Sequence, residues 1–344
     1  MAVLAQSGKA TLLDVALRLN PDGTAATVAE LLTQRNQILL DMPFTEGNLP
    51  TGHQGTVRTG LPQAVWRSYY QGVPPNKSQV AKVTDTCAML EARSEVDCAL
   101  ANLNGNSQAF RLSESNAFIE GINQQVAQAI FYGNTATSPE RILGFAPRYS
   151  AISGATNGVN IVDAGGVGSD NTSVWLVVWD KDTVTGIYPK GSTAGLQHRD
   201  LGEIDAFDAN QQRFRAYADL WQWNLGLHVK DWRQVVRIAN IDTSDLVGTV
   251  NTQANTAATN LLRMMIRARA RIPFPGMGTA VYYANRTVVE MLSILALDKS
   301  QNALSVQEAL YQFGEVTISV NELRFLGTPV RVVDQLLTTE ARVV

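Results

Sequence analysis

Residues 113–133 read SESNAFIEGINQQVAQAIFYG, and their spacing predicts one long helix. Phe118, Ile122, Val126 and Ile130 recur at every fourth position, which stacks them along a single face. Ser113 is placed to cap the free N–H groups of the first turn, and Gly133 fits the C-terminal stop. The opposite face is rich in amides: Asn123, Gln124, Gln125 and Gln128. Farther along the chain, WQWNLGLHV at 221–229 carries the other periodicity. There Trp221, Trp223, Leu225, Leu227 and Val229 alternate with Gln222, Asn224, Gly226 and His228, the pattern of a strand with one buried face and His228 on the outward one. Helices and strands in mixed order, with no regular βαβ alternation and no internal repeat, give an α+β class.

Around these two anchors the pattern is coarser. Strands are expected near Val174 to Trp179, Thr185 to Tyr188 and within Phe214 to Ile238, followed by helices at about Thr252 to Ala270 and Arg286 to Leu297. Short strands close the chain at Val316 to Val320, Leu323 to Phe325 and Val330 to Val333. Upstream, Leu13, Leu17, Val28, Leu31, Leu32 and Leu39 mark short helical pieces broken at Pro21, Asp22 and Gly23, which reads as an arm. From Glu46 to Pro75 glycines and prolines separate brief strand-like pieces such as Thr56-Val57-Arg58 and Val65-Trp66-Arg67. That stretch buries little by itself. Its aromatics Trp66, Tyr69 and Tyr70 favour an extended hairpin that becomes ordered on another subunit over a disordered insert.

Composition narrows the function classes. Charged residues make up 17% of the 344 and the net charge is -3, which argues against a protein whose task is gripping nucleic acid. The sparse charge fits a surface covered by neighbours, or an enzyme with a bland exterior. No apolar run is long enough for a bilayer, and the start lacks the layout of a secretory signal. Cys87 and Cys98 read as free thiols, with no clustered histidines to make a metal site.

Catalytic constellations are missing from the sequence. Gly186 and Gly191 stand at the spacing of a phosphate loop, but Ser192 follows Gly191 where the lysine belongs. Gly165-Gly166-Val167-Gly168 precedes a strand and reads as a turn. His53 in the glycine-rich hairpin, His198 in a polar loop and His228 have no nucleophile motif near them. One charged feature is sharper: Arg263, Arg267 and Arg271 repeat every fourth residue, with Arg269 nearby. A solvated helix face, an intersubunit contact and a DNA-facing stripe are the three readings of it.

Arm, glycine-rich hairpin, long helix, sheet lobe and terminal strands occur in an order that resembles the major capsid proteins of tailed bacteriophages with the Hong Kong 97-type fold. The wording that carries the resemblance is LPTGHQGTVRTGLPQAVWR (49–67), AFRLSESNAFIEGINQQVAQAIFYGN (109–134), NIVDAGGVGSDNTSVWLVVW (160–179) and WQWNLGLHVKDWRQVVRIANID (221–242). The resemblance implies an N-arm at 1–45, an extended E-loop at 46–82 and a peripheral domain at 83–150 with its spine helix at 113–133. An axial domain at 151–310 and C-terminal strands at 311–344 returning to the peripheral domain complete the division. It implies a structural protein that self-assembles through pentamers and hexamers into an icosahedral shell enclosing double-stranded DNA, without sequence-specific binding, catalysis, cofactor or membrane. Trp66, Arg67, Tyr69 and Tyr70 of the E-loop are the expected intersubunit contacts. Expected partners are other copies, a portal protein, a cement or decoration protein and, because the arm begins at once, a separate scaffolding protein; the setting is the virion and, during assembly, the host cytoplasm. Lys77 lies in the E-loop, but nothing local marks it for a crosslink. The alternatives are a portal, tail or decoration protein, and an enzyme of mixed α and β structure.

Overall fold

The computed structural model describes residues 34–102, 107–152, 156–208, 210–248, 256–297, 304–313 and 316–344. Most of the expected arm, residues 1–33, lies outside the described residues.

The strands are β1 (Phe44–Glu46), β2 (Gly52–Gly60), β3 (Gln79–Asp97), β4 (Ile161–Asp163), β5 (Asn171–Trp179), β6 (Val184–Tyr188), β7 (Gln197–Phe207), β8 (Arg213–Val229), β9 (Val235–Asp242), β10 (Thr279–Ala284), β11 (Leu304–Phe313), β12 (Val316–Phe325) and β13 (Thr328–Val332). The helices are α1 (Ile38–Asp41), α2 (Cys98–Ala101), α3 (Ser107–Tyr132), α4 (Phe145–Arg148), α5 (Thr243–Gly248), α6 (Thr256–Arg271) and α7 (Arg286–Leu297). One path of paired strands runs β11-β12-β13-β10-β5-β6-β8-β3-β2.

β5 sits inside this path and shows why the sheet has two cores. Its run NTSVWLVVW is buried at every position, as a strand covered on both faces must be. Trp175, Val177 and Trp179 face a core built on α3, with Ile122, Val126, Ile130, Phe131, Phe145 and Trp221. Val174, Leu176 and Val178 face the other way, toward Leu261, Leu262 and Met265 of α6 and Val288, Leu292 and Leu295 of α7. The molecule is therefore a sheet between α3 and the α6–α7 pair.

Several expectations change at their edges. α3 begins at Ser107, six residues before Ser113. The added turns are held by Phe110, which is buried with Val96, Leu100 and Ala101, while Glu114 interrupts the every-fourth stripe between Phe110 and Phe118 and hides the continuity. Gly133 does end the helix, and its reason is close approach: a Cβ there would stand 2.4 Å from the carbonyl oxygen of Ile142. Residues 61–78 contain no strand, so Val65-Trp66-Arg67 is irregular chain. Pro62, Pro74 and Pro75 offer no ladder N–H there, and no strand of the described chain lies beside them.

β3 is a single strand of 19 residues whose two halves have different partners. Gln79 to Thr86 pair with β2, and Cys87 to Asp97 pair with β8. The boundary expected at residue 82 falls inside it, because backbone pairing runs on without a break. The boundary expected at 310 likewise falls inside β11, which forms one hairpin with β12. Of the terminal segment, Leu323, Phe325 and Val330 join the α6–α7 core, and among the residues whose burial is described only Val333, Leu336 and Val343 are buried in the α3 core.

Candidate intersubunit surfaces

Glycine lets β2 lie against the root of β3 and β8. Gly55 faces His228 so closely that a Cβ would stand 2.9 Å from Nε2. His228 is thus buried and not outward-facing, because the hairpin covers the end of β8. His228 Nδ1 donates to Asp85 Oδ2 at 2.8 Å, the Val229 amide donates to the same oxygen at 3.1 Å, and Arg148 Nη2 donates to Asp85 Oδ1 at 2.6 Å. Burial pushes the Asp85 carboxyl up, but His228 and Arg148 outweigh it and hold it below the ordinary carboxylate range. His53 of β2 packs on His228 with ring centres 4.6 Å apart. Burial first, then His228 and Lys230, push the His53 imidazole down against the opposing pull of Asp85. These side chains fix the angle at which the β2–β3 hairpin leaves the sheet.

Beyond that root the hairpin opens into the irregular residues 61–78. Trp66, Tyr69 and Tyr70 are each at least 95% exposed, and Arg67 is exposed beside them. The Gln71 amide donates to the Ser68 carbonyl at 3.2 Å, closing a turn in which Tyr70 has φ 65°. A left-handed tyrosine costs about 1–2 kcal/mol over an extended one. Four large side chains are brought to one tip, and none of the three aromatics is buried within the chain.

The arginines of α6 do not behave alike. Arg263 and Arg267 are exposed and have no ion pair among the described residues. Arg271 turns back to the Ile161 carbonyl, with Nη1 at 2.5 Å, and burial together with Arg267 lowers its pKa. Arg269, off the stripe, donates from Nη1 to the Leu326 carbonyl at 2.7 Å.

Sequence reading missed the buried ionic groups that close the fold. Arg237 Nη2 donates to Glu340 Oε2 at 2.8 Å, and Ser173 and Tyr132 also donate to that carboxylate. Asp219 accepts from Arg111 at 2.9 Å and from His198 Nε2 at 3.0 Å. His198 stands in β7 and not in a loop, its ring 5.2 Å from that of Trp221. Periodicity has no term for such pairs, since Glu340 and Arg237 are far apart in sequence. Among the described residues no cluster of three His, Cys, Asp or Glu side chains is placed to hold a metal ion, and no helix is long and apolar enough to cross a membrane.

The sequence matches the family described as major capsid protein GP7 over residues 20–344. Among solved structures, a chain of bacteriophage Epsilon15 is 33% identical, with 100% of this chain and 99% of that chain covered and a TM-score of 0.76. A capsid chain of the native GTA particle is 11% identical over 63% of this chain and 93% of its own, with a TM-score of 0.46. A chain from Mycobacterium phage Bobi is 13% identical over 66% and 97%, with a TM-score of 0.41. No curated protein matches. With its two-core sheet, long helix and projecting hairpin, the chain has the Hong Kong 97-type capsid fold, and it belongs to the major capsid protein GP7 family, the structural proteins of the phage shell.

Proposed function

We propose that copies of this chain join through the hairpin tip, with Trp66, Arg67, Tyr69 and Tyr70 packed on an adjacent subunit, into the pentamers and hexamers of a shell around double-stranded DNA. The observation that carries this is the full exposure of Trp66, Tyr69 and Tyr70 at the end of an extended hairpin whose root is rigidly fastened. Large aromatics gain burial there only from another molecule, and aromatic and arginine side chains dominate interface energetics. Contacts of this head-to-tail kind close into rings when the rotation allows. In this reading the α3 core is the peripheral domain, the region from about 151 to 310 is the axial domain, and the chain catalyses nothing. Assembly in the host cytoplasm with a separate scaffolding protein, a portal protein and a decoration protein belongs to the same proposal.

Trp66→Ala tests it. The variant should keep the circular dichroism and melting temperature of the wild type, because an exposed side chain changes stability by only about 0.5 kcal/mol or less. Its yield of closed particles in negative-stain images should collapse. Normal shells from Trp66→Ala would remove the tip from the assembly mechanism.

A further inference from the structure

We infer that the outer face of α6 together with the β12–β13 turn is a second contact surface for another copy of this chain, and not a DNA-binding stripe. Phe325 pairs with Thr328, so the turn between them is the two-residue Leu326–Gly327. Both residues have positive φ, 46° and 80°. A turn of that shape ordinarily takes Asn-Gly, since a branched apolar residue is strained at its first position. Here that position holds leucine, with 47% of its surface exposed, and Arg269 pins its carbonyl from Nη1 at 2.7 Å. The fold thus spends strain to hold an apolar side chain out in water, which suits a contact made elsewhere.

Arg269 links that turn to the helix. Ile266 lies three residues before it and is itself 49% exposed. Arg263, three residues before Ile266, lies on its other side, with Arg267 one turn on from Arg263 and farther round the helix; both arginines are exposed and have no ion pair among the described residues. The patch therefore interleaves arginine with exposed aliphatic side chains. That mixture is characteristic of protein contacts, where arginine is enriched. A phosphate-binding face needs protruding cations and gains nothing from Ile266 and Leu326.

The occupant that fits is a second copy. Its surface must offer carboxylates beside apolar groups, and each copy has exposed carboxylates to spare: Glu91 and Glu140 have no ion pair among the described residues. When every copy carries both signs on different elements, a ring of copies neutralises all of them without a further partner. The inference rests on the shell-building role and adds a surface separate from the hairpin tip.

Two full-length variants test it beside Trp66→Ala, with particle yield measured against protein concentration and binding to a duplex oligonucleotide measured at low salt. Arg263→Glu with Arg267→Glu should raise the concentration needed for assembly about tenfold or more, with the circular dichroism unchanged. Leu326→Asn puts the preferred residue into the turn, so it should melt at the wild-type temperature or higher and still assemble less well. A purely structural role for Leu326 predicts undiminished assembly from that variant, and this result would overturn the inference. Undiminished assembly of the arginine variant, with a salt-sensitive duplex affinity that it has lost, would reassign the face to DNA. Normal assembly of Trp66→Ala would count against the hairpin tip alone.

Discussion

At the scale of single residues, the root of the hairpin is where charge and geometry meet. Asp85 has its carboxyl held below its ordinary 3.8, and His53 has its imidazole held below its ordinary 6.5. Both shifts act in the same direction on stability. Between the lowered His53 value and 6.5, the unfolded chain takes up a proton that the folded chain refuses, so stability present above pH 6.5 is lost as pH falls through that window. Below 3.8 the same holds for Asp85, whose contribution fades as pH falls through its lowered value. Thermal melting of unassembled protein should therefore show two acid-side declines. His53→Gln should remove the upper one and leave the lower; an unchanged upper decline would assign it to another group. None of this was legible in the sequence, where His228 alternates like a solvent-facing position and Asp85 is one polar residue between two threonines. What buries them is the hairpin folding over β8, a long-range event that no local period records.

At the scale of elements, legibility followed burial on one face or two. The stripe Phe118, Ile122, Val126 and Ile130 announces α3, and the unbroken apolar run of β5 announces a strand between two layers. Residues 61–78 and β7 were harder, for opposite reasons. The first has strand-like residues with no strand beside it, and the second, QHRDLGEIDAF, is a mostly exposed strand specified by pairing with β8 more than by its own side chains. The end of α3 shows how tightly such elements are set. Gly144 lies against the last turn, where a Cβ would meet the carbonyl oxygens of Ala129 at 2.6 Å and Ile130 at 2.8 Å. Gly144→Ala should cost about 1–3 kcal/mol as overpacking, read as a lower denaturation midpoint with unchanged slope. A midpoint equal to wild type would mean that the loop yields freely.

At the scale of the whole molecule, the chain's last residues are fastened through the sheet by a buried ion pair. Glu340 accepts from Arg237 of β9, from Ser173 of β5 and from Tyr132 of α3, so a single carboxylate ties the terminus to three elements. Glu340→Ala leaves Arg237 charged and buried, which should destabilise the subunit by about 3–5 kcal/mol and expose residues 334–344 to hydrogen exchange. Protection equal to wild type would show that the apolar contacts of Val333, Leu336 and Val343 hold the segment unaided.

β3 also has a mechanical meaning. Because the hairpin's second strand continues without a break into the sheet, a pull on the tip along that strand passes down one covalent backbone into the ladder between Cys87 and Asp97. Those hydrogen bonds lie across the direction of the load and share it in shear, where a strand peeled from its end would surrender them one at a time. With the tip packed on a neighbour as proposed, internal pressure that tries to slide the two subunits apart would be borne as tension in a tether, anchored well inside its own subunit.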